Sequence, residues 1–205
     1  MSSPNTKRRG AATLLAALLL PMIGLAGELA IGTSMPMADH KMTNVDSKSV
    51  SLADIKGDKG TVVAFWCNHC PWVVKWRSRF VEIADEYASQ GFGFIAINSN
   101  DPGKVEGDSL EAMKQYAKDY SYSFPYVVDE SSKLAKAYGA TKTPHIYVFD
   151  ANNKLVYVGA IDDNAHDAAG VQKPYLKNTL SAIASGEPVP EANTKALGCG
   201  IKWYK

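Results

Sequence analysis

Thr61-Val62-Val63-Ala64-Phe65-Trp66-Cys67-Asn68-His69-Cys70-Pro71 is the stretch that decides how this chain folds. Its first six residues are a continuous apolar run, rich in β-branched and aromatic side chains and bounded by Gly60. That pattern predicts a strand buried on both faces. Helical spacing begins directly afterwards, with Val73, Trp76, Phe80, Ile83 and Tyr87 recurring at steps of three or four. Arg77, Arg79, Glu82, Asp85 and Glu86 fall largely off that stripe, and Gly91 ends the helix. Two cysteines separated by two residues therefore sit at a strand-to-helix junction.

Working outward, Phe92 to Asn98 reads as a second buried strand and Asn100-Asp101-Pro102-Gly103 as a loop. Ser109 caps a helix through about Tyr120, without an acid at position 112 to complete a capping box. Pro125 to Val128 is a short strand, and Ser131 to Tyr138 a short helix stopped by Gly139. His145 to Phe149 and Leu155 to Gly159 flank Asp150-Ala151-Asn152-Asn153-Lys154 as a hairpin. A last helix spans roughly Lys173 to Ser185. Before all of these, Val50 to Leu52 is a possible short strand, with Ser51 or Asp54 capping a turn that ends at Gly57. Early strands separated by helices pair in parallel through right-handed crossovers, and the terminal hairpin adds antiparallel strands. The fold class is α/β: a mixed central sheet with helices on both faces.

The 205 residues carry 22 basic and 21 acidic side chains, 46% hydrophobic and 21% charged residues, the balance of a globular domain. This excludes a disordered polymer and a polytopic membrane protein, and a charge this even gives no support for a nucleic-acid-binding surface. The N-terminus stands apart. Lys7-Arg8-Arg9 precedes the apolar run Ala11 to Leu20, broken by Pro21 and Gly24, with small residues to Ala26. The run falls short of the ~20 residues that span a bilayer and is expected to be a secretory signal peptide, the alternative being an uncleaved anchor. Arg8-Arg9 is followed by Gly10-Ala11, where a twin-arginine signal has larger apolar residues. Losing residues 1–26 takes the formal charge from +1 to about −2. The expected organisation is thus a leader (1–26), a polar lead-in (27–48), one domain (49–190) and a tail (191–205) carrying Cys199. Export places the protein in the periplasm or outside the cytoplasm, where disulfides persist.

The cysteine pair carries the chemistry. Free amides and the dipole of a helix N-terminus stabilise a thiolate, which predicts that Cys67 titrates below an ordinary thiol. Attack by Cys67 on a disulfide gives a mixed disulfide that Cys70, one turn on, can resolve. A zinc site is disfavoured because no second CxxC or HxxxH accompanies the pair. An inert structural disulfide and a copper site made of Cys67, Cys70 and His69 are the other readings. His69, as a cation beside Cys67, is expected to make the disulfide more oxidising.

Phe65-Trp66-Cys67-Asn68-His69-Cys70-Pro71 followed by a helix resembles the active-site segment of thioredoxin-like proteins. The exported redoxin branch related to alkyl hydroperoxide reductase and thiol-specific antioxidant proteins (AhpC/TSA) is the most similar. Thr141-Lys142-Thr143-Pro144 before a strand, Gly159 to Asn164 after the hairpin and the tail Gly198-Cys199-Gly200-Ile201-Lys202-Trp203 agree with it. The resemblance covers roughly residues 45–203. It implies a thioredoxin-like fold and a thiol-disulfide oxidoreductase using no cofactor beyond its own redox-active disulfide. Cys67 is then the exposed nucleophile and Cys70 the resolving thiol. Pro144 is a cis-proline facing them, Thr143 offers its backbone to an extended substrate, and Trp66 shields the flank. Asn68, His69 and Pro71 complete the supporting set, with no metal ligand among them. Implied partners are protein thiols and disulfides and a separate redox partner, with membrane contact only through an uncleaved leader. Two departures stand out. The strand before the motif has no acid to move the second proton, and Gly60 and Ala64 replace the Pro and Thr/Ser of peroxidase members, which counts against peroxidase chemistry.

Cys199 is left over when the other two pair. Gly198 and Gly200 give its tail backbone freedom, and Ile201, Trp203 and Tyr204 are apolar enough to dock it. A third exchange thiol, reaching Cys67, and a bystander are both compatible with that reading. His145 is expected to pack in the core, and Asp162-Asp163-Asn164 to be a turn or a cation site.

Overall fold

The six-residue apolar run and the glycine before it form one buried strand, Gly60–Trp66. In the computed structural model, which describes residues 27–205, the elements follow in chain order. They are β1 (Met42–Asn44), β2 (Ser49–Val50), β3 (Gly60–Trp66), α1 (Pro71–Ala88), β4 (Phe92–Asn98), α2 (Leu110–Asp119), β5 (Tyr126–Val128) and α3 (Lys133–Tyr138). After these come β6 (Lys142–Thr143), β7 (His145–Asp150), β8 (Leu155–Gly159), α4 (Tyr175–Ser185) and β9 (Cys199–Gly200). Seven strands make one mixed sheet in the order β2-β1-β5-β4-β3-β7-β8, and β6 pairs with β9 beside it. β3, β4 and β5 run parallel, whereas the β7–β8 hairpin adds antiparallel strands against β3.

The strand alternation splits the core in two. Val62, Ala64 and Trp66 face a layer containing Val73, Trp76 and Phe80 of α1, Met113 of α2 and Leu176 and Leu180 of α4. Val63 and Phe65 face the other layer, with Leu134, Ala135 and Tyr138 of α3. Each fully buried aromatic or leucine here contributes about 2–3 kcal/mol relative to exposure. The expected α1 stripe is the buried stripe, and Ser109 caps α2 by accepting the Ala112 N–H at 3.3 Å. The α/β architecture with helices on both faces is therefore as read from the sequence.

The flanks differ from the reading. The polar lead-in contains β1, which lies between β2 and β5 in the main sheet. Asn44 holds it there, its Oδ1 accepting the Tyr126 N–H at 2.9 Å. At the other end the tail is no irregular segment, because β9 pairs antiparallel with β6. Boundaries of 49–190 leave out both strands. The leader expected over residues 1–26 lies outside the described residues, and among the described residues no helix is long and apolar enough to cross a membrane.

Behind α1, Asp162 accepts from Trp76 Nε1 at 2.7 Å and pairs with Arg79, whose guanidinium also reaches the Asn164 and Ala165 carbonyls. Its carboxylate is thereby spent on anchoring the loop after β8 to α1, and the cation-site alternative lapses. His145 packs in the core beside Phe65's partner Tyr147, as expected. Glu28 Oε2 lies 3.0 Å from its Nε2 but outside hydrogen-bond geometry, and burial pushes the imidazole down to about 4. Because the unfolded imidazole titrates near 6.5, it binds the proton first as pH falls, so stability should drop between about pH 6.5 and 4, by up to roughly 3 kcal/mol. Urea melts at pH 7 and 4.5 should show this component in the native chain and lose it in His145→Gln; equal pH dependence in both would refute it.

Candidate active site

β3 delivers Cys67 to the start of α1, and three hydrogen bonds through Asn68 fix the turn between them. The Asn68 N–H donates to Asp108 Oδ1 at 2.8 Å, its Nδ2 to the Gly107 carbonyl at 2.7 Å, and Tyr126 Oη donates to its Oδ1 at 2.9 Å. A buried amide with every polar atom engaged holds one conformation. Pro71 opens α1 at its first position, where a missing N–H costs nothing. Cys70 is the residue that caps the helix, in extended conformation.

Pro71 places Cys67 three residues ahead of the helix cap, and Cys70 makes no side-chain hydrogen bond to the first-turn amides. The neighbouring Cys67 thiol, helped by the Cys199 thiol and N–H, outweighs burial and holds the Cys70 thiol down to about 5. Cys67 is driven the other way by its contact with Cys70, by burial and by the Asp108 carboxylate, and only the Thr143 hydroxyl, 3.2 Å from its sulfur, opposes this. The two thiols are coupled, so ionisation of either one is a property of the pair. When Cys70 is protonated, its S–H points to the Thr143 carbonyl at 2.9 Å.

Thr143 is the residue before a cis peptide bond to Pro144. Thr143 meets both cysteines, and its backbone, expected to face an extended substrate, is paired with Cys199 on β9 and accepts from Cys70. Cys199 arrives on β9, directly opposite Thr143 in the pairing. Its sulfur lies 2.6 Å from Cys70 Sγ, and its N–H donates to that sulfur at 3.3 Å. The tail is therefore docked, and it reaches Cys70 rather than Cys67. Burial and the Cys70 contact push the Cys199 thiol up to about 11. A cleft of about 140 Å³ opens onto all three sulfurs between Val105, Asp108, Gly200 and Lys202.

Trp66 is fully buried as a core aromatic at the end of β3, donating to Tyr122 Oη at 2.8 Å and packing on Phe80. His69 is exposed, and its ring lies against Gly107 on the facing loop. Cys67, expected to be exposed, is 3% exposed, and the half-exposed thiol is Cys199. Asp108 was missed altogether. It lies 41 residues from Cys67 in a loop whose sequence carries no local signal, and it is buried with Oδ2 accepting from Asn100 Nδ2 at 2.8 Å. Among the described residues, no group of three or more His, Cys, Asp or Glu is arranged to hold a metal ion.

The AhpC/TSA family model matches residues 31–158, more than half of the chain. The chain belongs to the AhpC/TSA family. An uncharacterised conserved protein from Geobacillus kaustophilus is 41% identical, covering 85% of this chain and 93% of its own, at a TM-score of 0.81. The thiol-disulfide oxidoreductase ResA of Bacillus subtilis (strain 168) is 26% identical over 155 residues, 73% of this chain and 80% of its own length. The thioredoxin domain of a thiol-disulfide oxidoreductase from Bacteroides vulgatus is 23% identical and shares the fold, at a TM-score of 0.54 over 65% of this chain and 90% of its own. This AhpC/TSA member has the thioredoxin-like fold and is an oxidoreductase enzyme.

The carboxylate of Asp108 opposes ionisation of Cys67. In Asp108→Asn, the pH midpoint of Cys67 alkylation should fall by about one unit, in line with removal of a nearby like charge. An unchanged or raised midpoint would show that Asp108 acts on the turn alone.

Proposed function

We propose that this protein exchanges a Cys67–Cys70 disulfide with thiols and disulfides of other proteins or small molecules outside the cytoplasm. The observation that carries this is the pair itself: two cysteines at the start of α1 that both meet Thr143, its hydroxyl 3.2 Å from Cys67 Sγ and its carbonyl 2.9 Å from Cys70 Sγ, just before a cis peptide bond to Pro144. The ResA relatives, named thiol-disulfide oxidoreductases, support the reaction class. The basic-then-apolar leader supports export.

The coupled pair answers the question posed by the acid-free strand. In the dithiol form, Cys67 passes its proton across the contact to Cys70, and the charge appears on Cys67. Cys67 Sγ attacks a substrate disulfide, the substrate S–S bond breaks, and the departing sulfur leaves as a thiolate. The Thr143 hydroxyl donates to Cys67 as the charge develops. Cys70 passes the proton it received to the departed substrate thiolate and, as a thiolate, attacks Cys67 Sγ; the mixed disulfide breaks, the second substrate sulfur leaves as a thiolate that takes a proton from solvent, and Cys67–Cys70 closes. No cofactor enters these steps, and the direction in the cell depends on the potential of the pair against its partners.

Reaction of Cys70→Ser with glutathione disulfide should leave a lasting glutathione adduct on Cys67 and lower turnover by about 100-fold or more, as for loss of a residue acting as part of a unit. Turnover near the native rate, or an adduct on neither Cys67 nor the serine variant's other thiol, would contradict the scheme.

A further inference from the structure

We infer that Cys199 is a third exchange thiol of this site and that Cys70 forms disulfides with either Cys67 or Cys199. This rests on the exchange reading above, which it extends by one step. Cys70 Sγ is held between the two other sulfurs, and the one on β9 is 2.6 Å away. A sulfur pair at that distance is far inside ordinary non-bonded contact and needs only a small approach to bond.

The position of Cys199 is built by several independent contacts. Thr143 pairs with Cys199, and Lys142 with Gly200, in the β6–β9 ladder. Beyond it, the Ile201 N–H donates to the Thr141 carbonyl at 3.1 Å and the Asp101 N–H to the Lys202 carbonyl at 2.7 Å. The Lys202 N–H reaches Asn100 Oδ1 at 2.8 Å, and Ile201 is buried. Termini fray unless tied down, and this one is tied on both sides of the cysteine. Gly198 permits the approach, since a Cβ there would lie 2.4 Å from the Thr143 carbonyl oxygen.

Accessibility gives the third thiol its use. Cys67 and Cys70 are 3% and 4% exposed, while Cys199 is half-buried at the cleft mouth between Lys142 and Lys202. A bulky partner reaches Cys199 first. The step is an isoelectronic exchange. Cys199 loses its proton and attacks Cys70 Sγ of the Cys67–Cys70 disulfide; that S–S bond breaks, Cys70–Cys199 forms, and Cys67 leaves as a thiolate and takes up a proton. Nothing is oxidised or reduced overall, and the disulfide moves from the buried pair to the half-exposed one. An external dithiol then takes it from Cys199.

The test is disulfide mapping of the full chain after equilibration with glutathione disulfide and acid quenching. Cys67→Ser should lose alkylation at Cys70 and Cys199 together and yield the peptide linking them. Glutathione adducts or free thiols at both positions, with no linking peptide, would overturn the inference. Gly198→Ala keeps all three cysteines and displaces only the tail. It should lose the Cys70–Cys199 peptide and retain Cys67–Cys70, whereas an undiminished Cys70–Cys199 yield would remove the β9 geometry as its cause. Failure of the exchange reading is distinct: native protein would then yield Cys70–Cys199 without any Cys67–Cys70 peptide.

Discussion

The Cys70 sulfur is the point on which the site depends. The Cys199 sulfur at 2.6 Å and the Cys199 N–H at 3.3 Å both meet it. Its neighbours come from different parts of the chain: Cys67 from the end of β3, and Cys199 from β9. The sheet and the α1 stripe exist locally for packing, yet together they set the angle at which those neighbours meet. Thr143 closes the remaining side with a hydroxyl toward Cys67 and a carbonyl toward Cys70.

A strand without an acid is compensated from the opposite loop. Asp108 enters beside the CxxC turn and spends its oxygens on the Asn68 N–H and the Asn100 amide. The same carboxylate that orders the turn raises the cost of a Cys67 thiolate. Order and reactivity are therefore in tension at this residue. Asn68, between the two cysteines in sequence, has no exposed role; it ties the turn to Asp108, Gly107 and Tyr126.

Much of this was legible because the informative segments are long and periodic. Thr61 to Trp66 and the α1 stripe could be read from one face pattern each, and the β7–β8 hairpin from its turn residues. β1 was missed because three residues carry no period, and its place is set by Asn44 reaching Tyr126, 82 positions away. β9 is two residues long and is defined only by β6. The cap position was misjudged by one turn: the motif names the cysteines but does not say where the first helical residue falls, and Pro71 places it after Cys70. Trp66 was assigned by resemblance and His69 from its charge beside Cys67, and the fold turns one into the core and the other onto Gly107. Asp108 had no signal at all in its own neighbourhood.

The contacts on Cys70 should make a reversible two-electron couple. Equilibrating the full chain in buffers of graded thiol–disulfide ratio and measuring free thiols gives its reduction potential directly. The account predicts a single dithiol–disulfide couple, involving Cys70, within the range of roughly −270 to −120 mV known for such sites. A chain that keeps all its thiols across that range, or gains only mixed adducts without an internal disulfide, would contradict it.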